Sequence, residues 1–470
     1  MHCTPRRLPR LSVLLALANP FFGTVLATGV EAFPADTIAA LEARIAAARP
    51  GDTIVVRDGA YTTEAPLVVA CAGEPGRPIT IRAENVGAVE IRGSHGFAVA
   101  EGAAHVTIEG FRFAHASGRC SIAVGAHHVR FSRNVFHCAG DGPYLTVSGD
   151  DVEVDRNEFR DKRTLGNMLS VTGANGQVAR RLWVHHNHFH DFANAGGNGA
   201  ETIRLGLSGL SMSMGHALVE HNLFERCVGE NELISNKSGG NTYRYNTFLD
   251  SPGTQLTLRH GNECLVYGNL FRGTSGLRIF GDRHRIHSNH FEDNGVAINI
   301  GNGGAEVADG APLTSHDRPD DCVIVFNTLV GNRVHYRMSP RTPRALGATN
   351  TTFAYNVIVG GGTVAEIEGP YTGAVWRGNF VWQAGGLGHL PPEGAREADP
   401  GLEAGPDGFR RLRPGGAAVD AGGSGFPWVD VDRDGQRRSG SRDAGADELA
   451  EGPVAARKLT PADVGPNSGR

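Results

Sequence analysis

One short phrase returns along most of this chain: an apolar residue, a few others, then Asn and, two positions on, Phe or another apolar residue. It reads VRFSRNVFH around Asn134, VEVDRNEFR around Asn157 and LWVHHNHFH around Asn187. Further copies centre on Asn222, Asn246, Asn269, Asn289, Asn327, Asn356 and Asn379. Four of the nine intervals are 23 or 24 residues, and the others are shortened or lengthened as loop changes would do. A period of this size means a solenoid, in which each repeat buries its apolar face only against its neighbours. Inside each copy, short alternating runs rich in Val, Ile, Phe and Thr are broken by Gly, Asn or Asp, which is strand and turn chemistry. Leucine-rich repeats would need regular Leu positions that are missing, and propeller blades would be about twice as long. The expected fold class is all-β, a parallel β-helix with two or three short strands per coil. The repeated Asn is expected to be structural. It tolerates a left-handed corner, and its amide can bond to the same residue one coil away.

The ends read differently. Arg6, Arg7 and Arg10 precede an apolar run at 11–17, followed by Phe21, Phe22, Val25 and Leu26, with small residues at Ala27 and Ala32. That is the pattern of an export signal over 1–32, and Asn19-Pro20 and Gly23 break the run too early for a membrane span. No later segment is apolar enough to cross a membrane, so the expected location is secreted or periplasmic. Residues 33–450 are expected to form one β-helix domain. Within it, Ile38, Leu41 and Ile45 have helical spacing, so a short amphipathic helix is expected to cap the first coil. DVDRDGQRR from Asp430 resembles the start of a calcium loop, but Ser441 stands where such a loop needs Glu. It is read as a closing segment, and 451–470 as a disordered tail.

The formal net charge is −5, which argues against general polyanion or nucleic-acid binding, so an anionic substrate would need a local basic cleft. Beyond the signal stand Cys71, Cys120, Cys138, Cys227, Cys264 and Cys322; their wide spacing permits disulfides without demanding them, and CxxC zinc spacing is absent. His185, His186, His188 and His190 crowd together but lack an H-E-x-x-H pattern or a Cys partner. Nucleophile-elbow, Walker and dinucleotide motifs are also missing.

The unusual residues gather between positions 197 and 284. Asn198 and Arg204 come first, then Glu230, Glu232 and Lys237, then Arg259 and His260, then Arg278 and Arg283. Lys237 and Arg259 are separated by about one period, which stacks them on neighbouring coils. Oxygen donors from Asn198, Glu230 and Glu232 suit Ca²⁺. The same glutamates can equally pair with Lys237 and the nearby arginines on a solvated face.

N-x-x-x-x-I-R-L-G, H-N-L-F, E-x-E-x-I-S-x-K-S and L-R-H-G-N, in that order, resemble the sixth family of polysaccharide lyases, which holds chondroitinase B and alginate lyases. The similarity runs from the P-G-D-T-I of the cap to G-D-R-H and beyond. The resemblance implies a right-handed parallel β-helix and Ca²⁺-assisted β-elimination of an anionic, uronate-containing polysaccharide, alginate being the expected one. It implies that Asn198, Glu230 and Glu232 are calcium ligands, Lys237 the base and Arg259 the acid, with Arg283 binding substrate. Arg204, His260 and Arg278 are further substrate-binding candidates. One departure concerns G-T-Q-L-T-L-R, which is one residue longer than the pattern before the acid, a difference a bulge would absorb. A chondroitin or dermatan sulfate lyase, a C5-epimerase of the same polymer and a non-catalytic glycan-binding β-helix are the alternatives. Oligomeric state is not encoded in any of these signals.

Overall fold

The computed structural model describes residues 32–469, apart from 194–195, 310, 314, 340–342, 451, 453 and 455. The expected export signal therefore lies outside the described residues, except for Ala32, which opens the first strand. Three long parallel sheets of 14, 12 and 14 strands run the length of the molecule. Each coil contributes one strand to each sheet. One coil, for example, comprises Leu218–Glu220, Leu223–Cys227 and Glu232–Lys237 before Thr242–Arg244 begins the next. This is a parallel β-helix, as the repeat predicts.

The helix Ile38–Ala47 covers the first coil with Leu41 and Ile45 buried. Thr37 caps it by accepting the Ala40 N–H at 3.1 Å. Among the described residues no helix is long and apolar enough to cross a membrane.

The repeated asparagines form a ladder in the buried interior, all at most 1 % exposed. The Asn157 carboxamide oxygen accepts both the Asn134 backbone N–H at 2.9 Å and its side-chain amide at 3.1 Å, and Asn187 does the same for Asn157. The pattern continues through Asn379. The left-handed corner, however, falls on the residue before each Asn: Arg133, Arg156, His186, His221, Tyr245, Gly268, Ser288, Phe326, Tyr355 and Gly378 all have positive φ. The asparagine satisfies the backbone groups that the corner turns inward, where a buried unpaired amide would cost about 1–3 kcal/mol. Beside the ladder, the Phe of each repeat stacks on the next, with centroid spacings of 4.6, 4.7, 4.9, 4.8, 4.7 and 4.8 Å from Phe136 through Phe159, Phe189, Phe224, Phe248, Phe271 and Phe291.

The C-terminal end corrects one expectation. The described part of the tail expected to be disordered lies along the coils: the Leu459 N–H bonds to Thr247 at 3.1 Å, and the Arg133 guanidinium to the Pro466 carbonyl at 2.7 Å. Leu459 and Val464 bury against Leu223, Leu249 and Leu270, apolar residues outside the main core that would otherwise face water. The Asp430 segment folds as a closing turn. Asp432 accepts the Gln436 and Glu448 N–H groups at 2.7 and 3.0 Å, and Asp434 pairs with Arg411 and Arg433, so these carboxylates are occupied by the protein itself. All six described cysteines are free thiols.

Candidate active site

The site grows from four consecutive strands of the 12-stranded sheet: Ile203–Leu205, Glu232–Lys237, Gln255–His260 and Leu277–Ile279. Register places Ser170, Arg204, Ser235, Thr257, Arg278 and Asn299 in one row across the coils. Strand alternation turns this row outward, while flanking Ile203, Leu205, Ile234, Leu256, Leu258, Leu277 and Ile279 fill the core. The sheet therefore presents a file of hydroxyls, an amide and guanidinium groups on its outer face.

Two register shifts interrupt the strand pair at the centre. Glu232 pairs with Gln255 but Ile234 with Leu256, and Asn236 pairs with Leu258 but Lys237 with His260. Leu233 and Arg259 are thus the extra residues of two offsetting bulges, the second absorbing the additional residue seen in the sequence. Bulges re-aim a side chain. Arg259 is turned onto Glu232, at 2.8 Å from Nη1 to Oε1. The same oxygen accepts from Arg278, and the other from the Ser235 hydroxyl. Glu232 is fully buried, and its two arginines supply the compensation that a buried carboxylate requires.

Lys237 Nζ lies 3.6 Å from Glu201 Oε1, and only 12 % of its side chain is exposed. Burial is the main cause that lowers its pKa, and Arg259 and Arg204 add to it while Glu201 and Glu232 oppose it. The push from Arg259 is present but secondary to desolvation.

Glu201, Glu230 and Glu232 bring carboxylate oxygens within 4.8 Å of one another. Glu230 accepts the Gly199 N–H at 2.8 Å, and Glu201 accepts the Asn167 amide at 2.8 Å. Burial, then the Glu201 charge, raises the Glu230 pKa, with Glu232 adding a smaller push. Carboxylates crowded in this way favour either a proton or a cation, and an all-oxygen hard donor set is what Ca²⁺ takes. Glu201 was not among the sequence-derived ligands, although it sits three residues after Asn198 in the same motif. Asn198 is exposed in the preceding bend, and its carboxamide makes no hydrogen bond among the described residues.

The other sequence-derived residues divide. Arg204 is beside the site, bonded to Ser170 at 2.9 Å, and Arg278 is within it through Glu232. His260 lies opposite Lys237; burial first, then Arg259 and Lys237, push its pKa down to about 3, so it is a neutral imidazole. Arg283 stands at the neighbouring corner. Both oxygens of Asp309 hold it, at 2.7 and 2.8 Å, and it lines a cavity of about 620 Å³ with Arg285 and Trp428 on the adjoining face. It is not brought to Lys237. The His185–His190 cluster is taken up by Glu153, Glu225 and Glu158.

Arg204 Nε, Arg259 Nε, Thr257 Oγ1 and His260 Nδ1 are buried polar atoms without a hydrogen-bond partner among the described residues. Such orphans are uncommon in folded proteins and collect where a ligand or water completes the bonding. A base candidate, a guanidinium and a carboxylate cluster thus meet on an under-satisfied surface.

The chondroitinase B family model matches residues 36–342, well over half of the chain. The chain belongs to polysaccharide lyase family 6. Among solved structures, the PL6 family alginate lyase AlyGC is 26% identical with a TM-score of 0.72, covering 81% of this chain and 55% of its own. The chain thus spans little more than half the length of that family 6 relative. A mannuronic acid specific family 6 lyase from human gut microbiota is 25% identical with a TM-score of 0.64, covering 75% of this chain and 86% of its own. A PL6 alginate lyase solved with a trisaccharide shares the fold at 20% identity and a TM-score of 0.66, covering 83% and 92%. No curated protein matches the chain.

Proposed function

We propose that this protein is an exported polysaccharide lyase that cleaves alginate by β-elimination, with Lys237 as base and Arg259 assisting the leaving group. The observation that carries this reading is the placing of a buried lysine and a bulge-directed arginine on adjacent coils beside three converging glutamates. The alginate lyases among its solved relatives support the choice of polymer.

In a uronate, the proton on C5 is weakly acidic because the adjacent carboxylate is charged. Glu201, Glu230 and Glu232, joined by Asn198 as the family resemblance implies, would hold Ca²⁺, which when bound neutralises that carboxylate and stabilises charge developing on it. Neutral Lys237 takes the C5 proton, and the electron pair forms the C4–C5 double bond as the C4–O bond breaks. The departing oxygen leaves with the bonding pair; Arg259 stabilises its charge, and a proton from Arg259 or water completes the product. Burial of Lys237 favours its proton-free form, which is the form a base requires. Arg204 and Arg278 are positioned to bind neighbouring carboxylates. The apolar N-terminal run supports export, which cell fractionation would test.

Incubation with alginate, polymannuronate, polyguluronate or dermatan sulfate in Ca²⁺ tests the reading through ultraviolet absorbance. A rise from the unsaturated product on the alginate polymers is expected, abolished by EDTA and restored by Ca²⁺. A rise confined to dermatan sulfate would replace the substrate. No rise on any polymer, with proton exchange at C5, would replace the lyase by an epimerase.

A further inference from the structure

The interval from Asn289 to Asn327 is the longest in the ladder, and its extra length folds onto the coils of Arg259 and Arg278. Gly303 and Leu346 exchange backbone hydrogen bonds at 2.7 and 3.1 Å, and Val307 donates to Asp317 at 2.8 Å. Asp309 latches the insertion to the solenoid by accepting from Asn262 at 2.8 Å and from Arg283. Asn262 is three residues from Arg259, so the latch closes next to the site.

This anchoring brings in His316. Its ring lies 4.9 Å from that of His260 and packs edge-on to Phe280 at 4.8 Å. Phe280 in turn carries two guanidinium groups, Arg278 at 5.7 Å and Arg344 at 5.8 Å from its centroid. The Gly304 N–H fixes the His316 carbonyl at 2.8 Å. His316 is 7 % exposed, and among the described residues neither ring nitrogen makes a hydrogen bond. Burial, then His260, Arg344, Arg259 and Arg278, push its pKa down to about 2. It is therefore a neutral imidazole, with one donor and one acceptor to offer. Arginines around it answer carboxylates, and the two neutral imidazoles answer hydroxyl groups.

We propose that the insertion after Asn289, held by Asp309, builds a subsite for one uronate unit on the Arg259 side of the scissile bond, in which His316 hydrogen-bonds the ring hydroxyls. The subsite rests on the uronate-lyase reading above. His316 acts as a positioning residue, since the proton transfers belong to Lys237 and Arg259.

The test is calorimetric titration of saturated mannuronate and guluronate tetramers, with Ca²⁺, into the full chain carrying Lys237→Ala, which binds without turnover. Adding His316→Ala is expected to weaken binding about 3- to 12-fold, the worth of one hydrogen bond. His316→Gln, which keeps a donor and an acceptor, retains most of the affinity. Asp309→Ala, which opens the latch, weakens binding in the same direction. Should His316→Ala fail to fold, these last two variants carry the test. Unchanged affinity in His316→Ala or in Asp309→Ala, or a loss in His316→Gln as large as the one expected for His316→Ala, overturns the subsite alone. If the Lys237→Ala chain binds neither tetramer, the uronate reading falls and the subsite falls with it.

Discussion

Lys237 and Glu232 show how differently two buried charges of one site bear on stability. Glu232 is compensated by Arg259 and Arg278, so removing it leaves two guanidinium groups facing each other. Lys237 pairs with the more distant Glu201 at 3.6 Å, and its pKa lies below the usual lysine value. Below that folded pKa both folded and unfolded chains carry the charge, and the fold bears its desolvation. Between the folded value and the unfolded one, only the unfolded chain holds the proton, so stability rises with pH. Lys237→Met is therefore expected to abolish most turnover, by about 10²- to 10⁴-fold, while raising Tm near neutral pH. Its Tm advantage shrinks as pH climbs towards the ordinary lysine range. Glu232→Ala should instead lose about 3–5 kcal/mol, the usual cost of breaking a buried ion pair. Thermal melts of both variants over a pH series check the contrast; a Lys237→Met chain that melts lower than its parent at neutral pH would contradict it. Lys237, Arg259, Glu230 and Glu232 were legible because their motif spacing is unusual. Glu201 was not, because one acid among strand residues carries no sign of where its coil will stack.

At the scale of the element, the repeat was readable but its corner was not. Asn, Val and Phe recur at fixed offsets, so the ladder and the Phe stack could be expected. The left-handed position just before each Asn holds Arg, His, Tyr, Ser, Phe or Gly, and no residue type marks it. The bulge that aims Arg259 announced itself only as one surplus residue, and the insertion after Asn289 only as a long interval. How each packs depends on partners in other coils. The ladder gives a sharp expectation for substitution. Asn246 donates to the Val219 carbonyl at 2.8 Å and to Asn269 at 3.0 Å, and accepts twice from Asn222 at 3.0 Å. Asn246→Ala removes all four bonds and leaves the Asn222 N–H unpaired in a dry interior. A loss of about 3 kcal/mol or more is expected, against about 0.5 kcal/mol for an exposed position such as Arg180. Denaturant titration of the two variants decides; equal midpoints would mean that the ladder does not hold the coils together.

The whole molecule is a column whose ionisable groups are buried along its length, and this makes its stability a function of pH. Seven histidines are pushed far below their ordinary pKa, chiefly by burial: His115, His186, His284 and His335 to about 4, His260 and His287 to about 3, and His316 to about 2. Unfolding returns each to about 6.5, so between that value and the folded one the unfolded chain binds more protons. Stability contributed by these neutral imidazoles is therefore present above pH 6.5 and is lost as pH falls below it. Carboxyls act in the opposite sense: burial raises Glu230, Asp432 and Glu448, and three others shift further. Asp282 and Asp447, raised to about 7, and Asp317, raised to about 6, take up protons in the folded state first and favour folding as pH falls towards 4. Burial also lowers His105, His221 and His290, so among the described residues ten imidazoles stand against six carboxyls and the raised His190, which leaves a net proton uptake on unfolding near pH 5. Tm is expected to change little between pH 7 and 8 and to fall steadily from pH 6.5 to pH 4.5, most steeply near pH 5. The loss should come before bulk carboxylate titration, which begins nearer pH 4. Calorimetric melts in buffers of equal ionic strength, with Ca²⁺ held constant, measure the curve. A Tm that stayed flat to pH 4.5 would mean that the interior histidines reach water in the folded chain, contrary to a column sealed along its length.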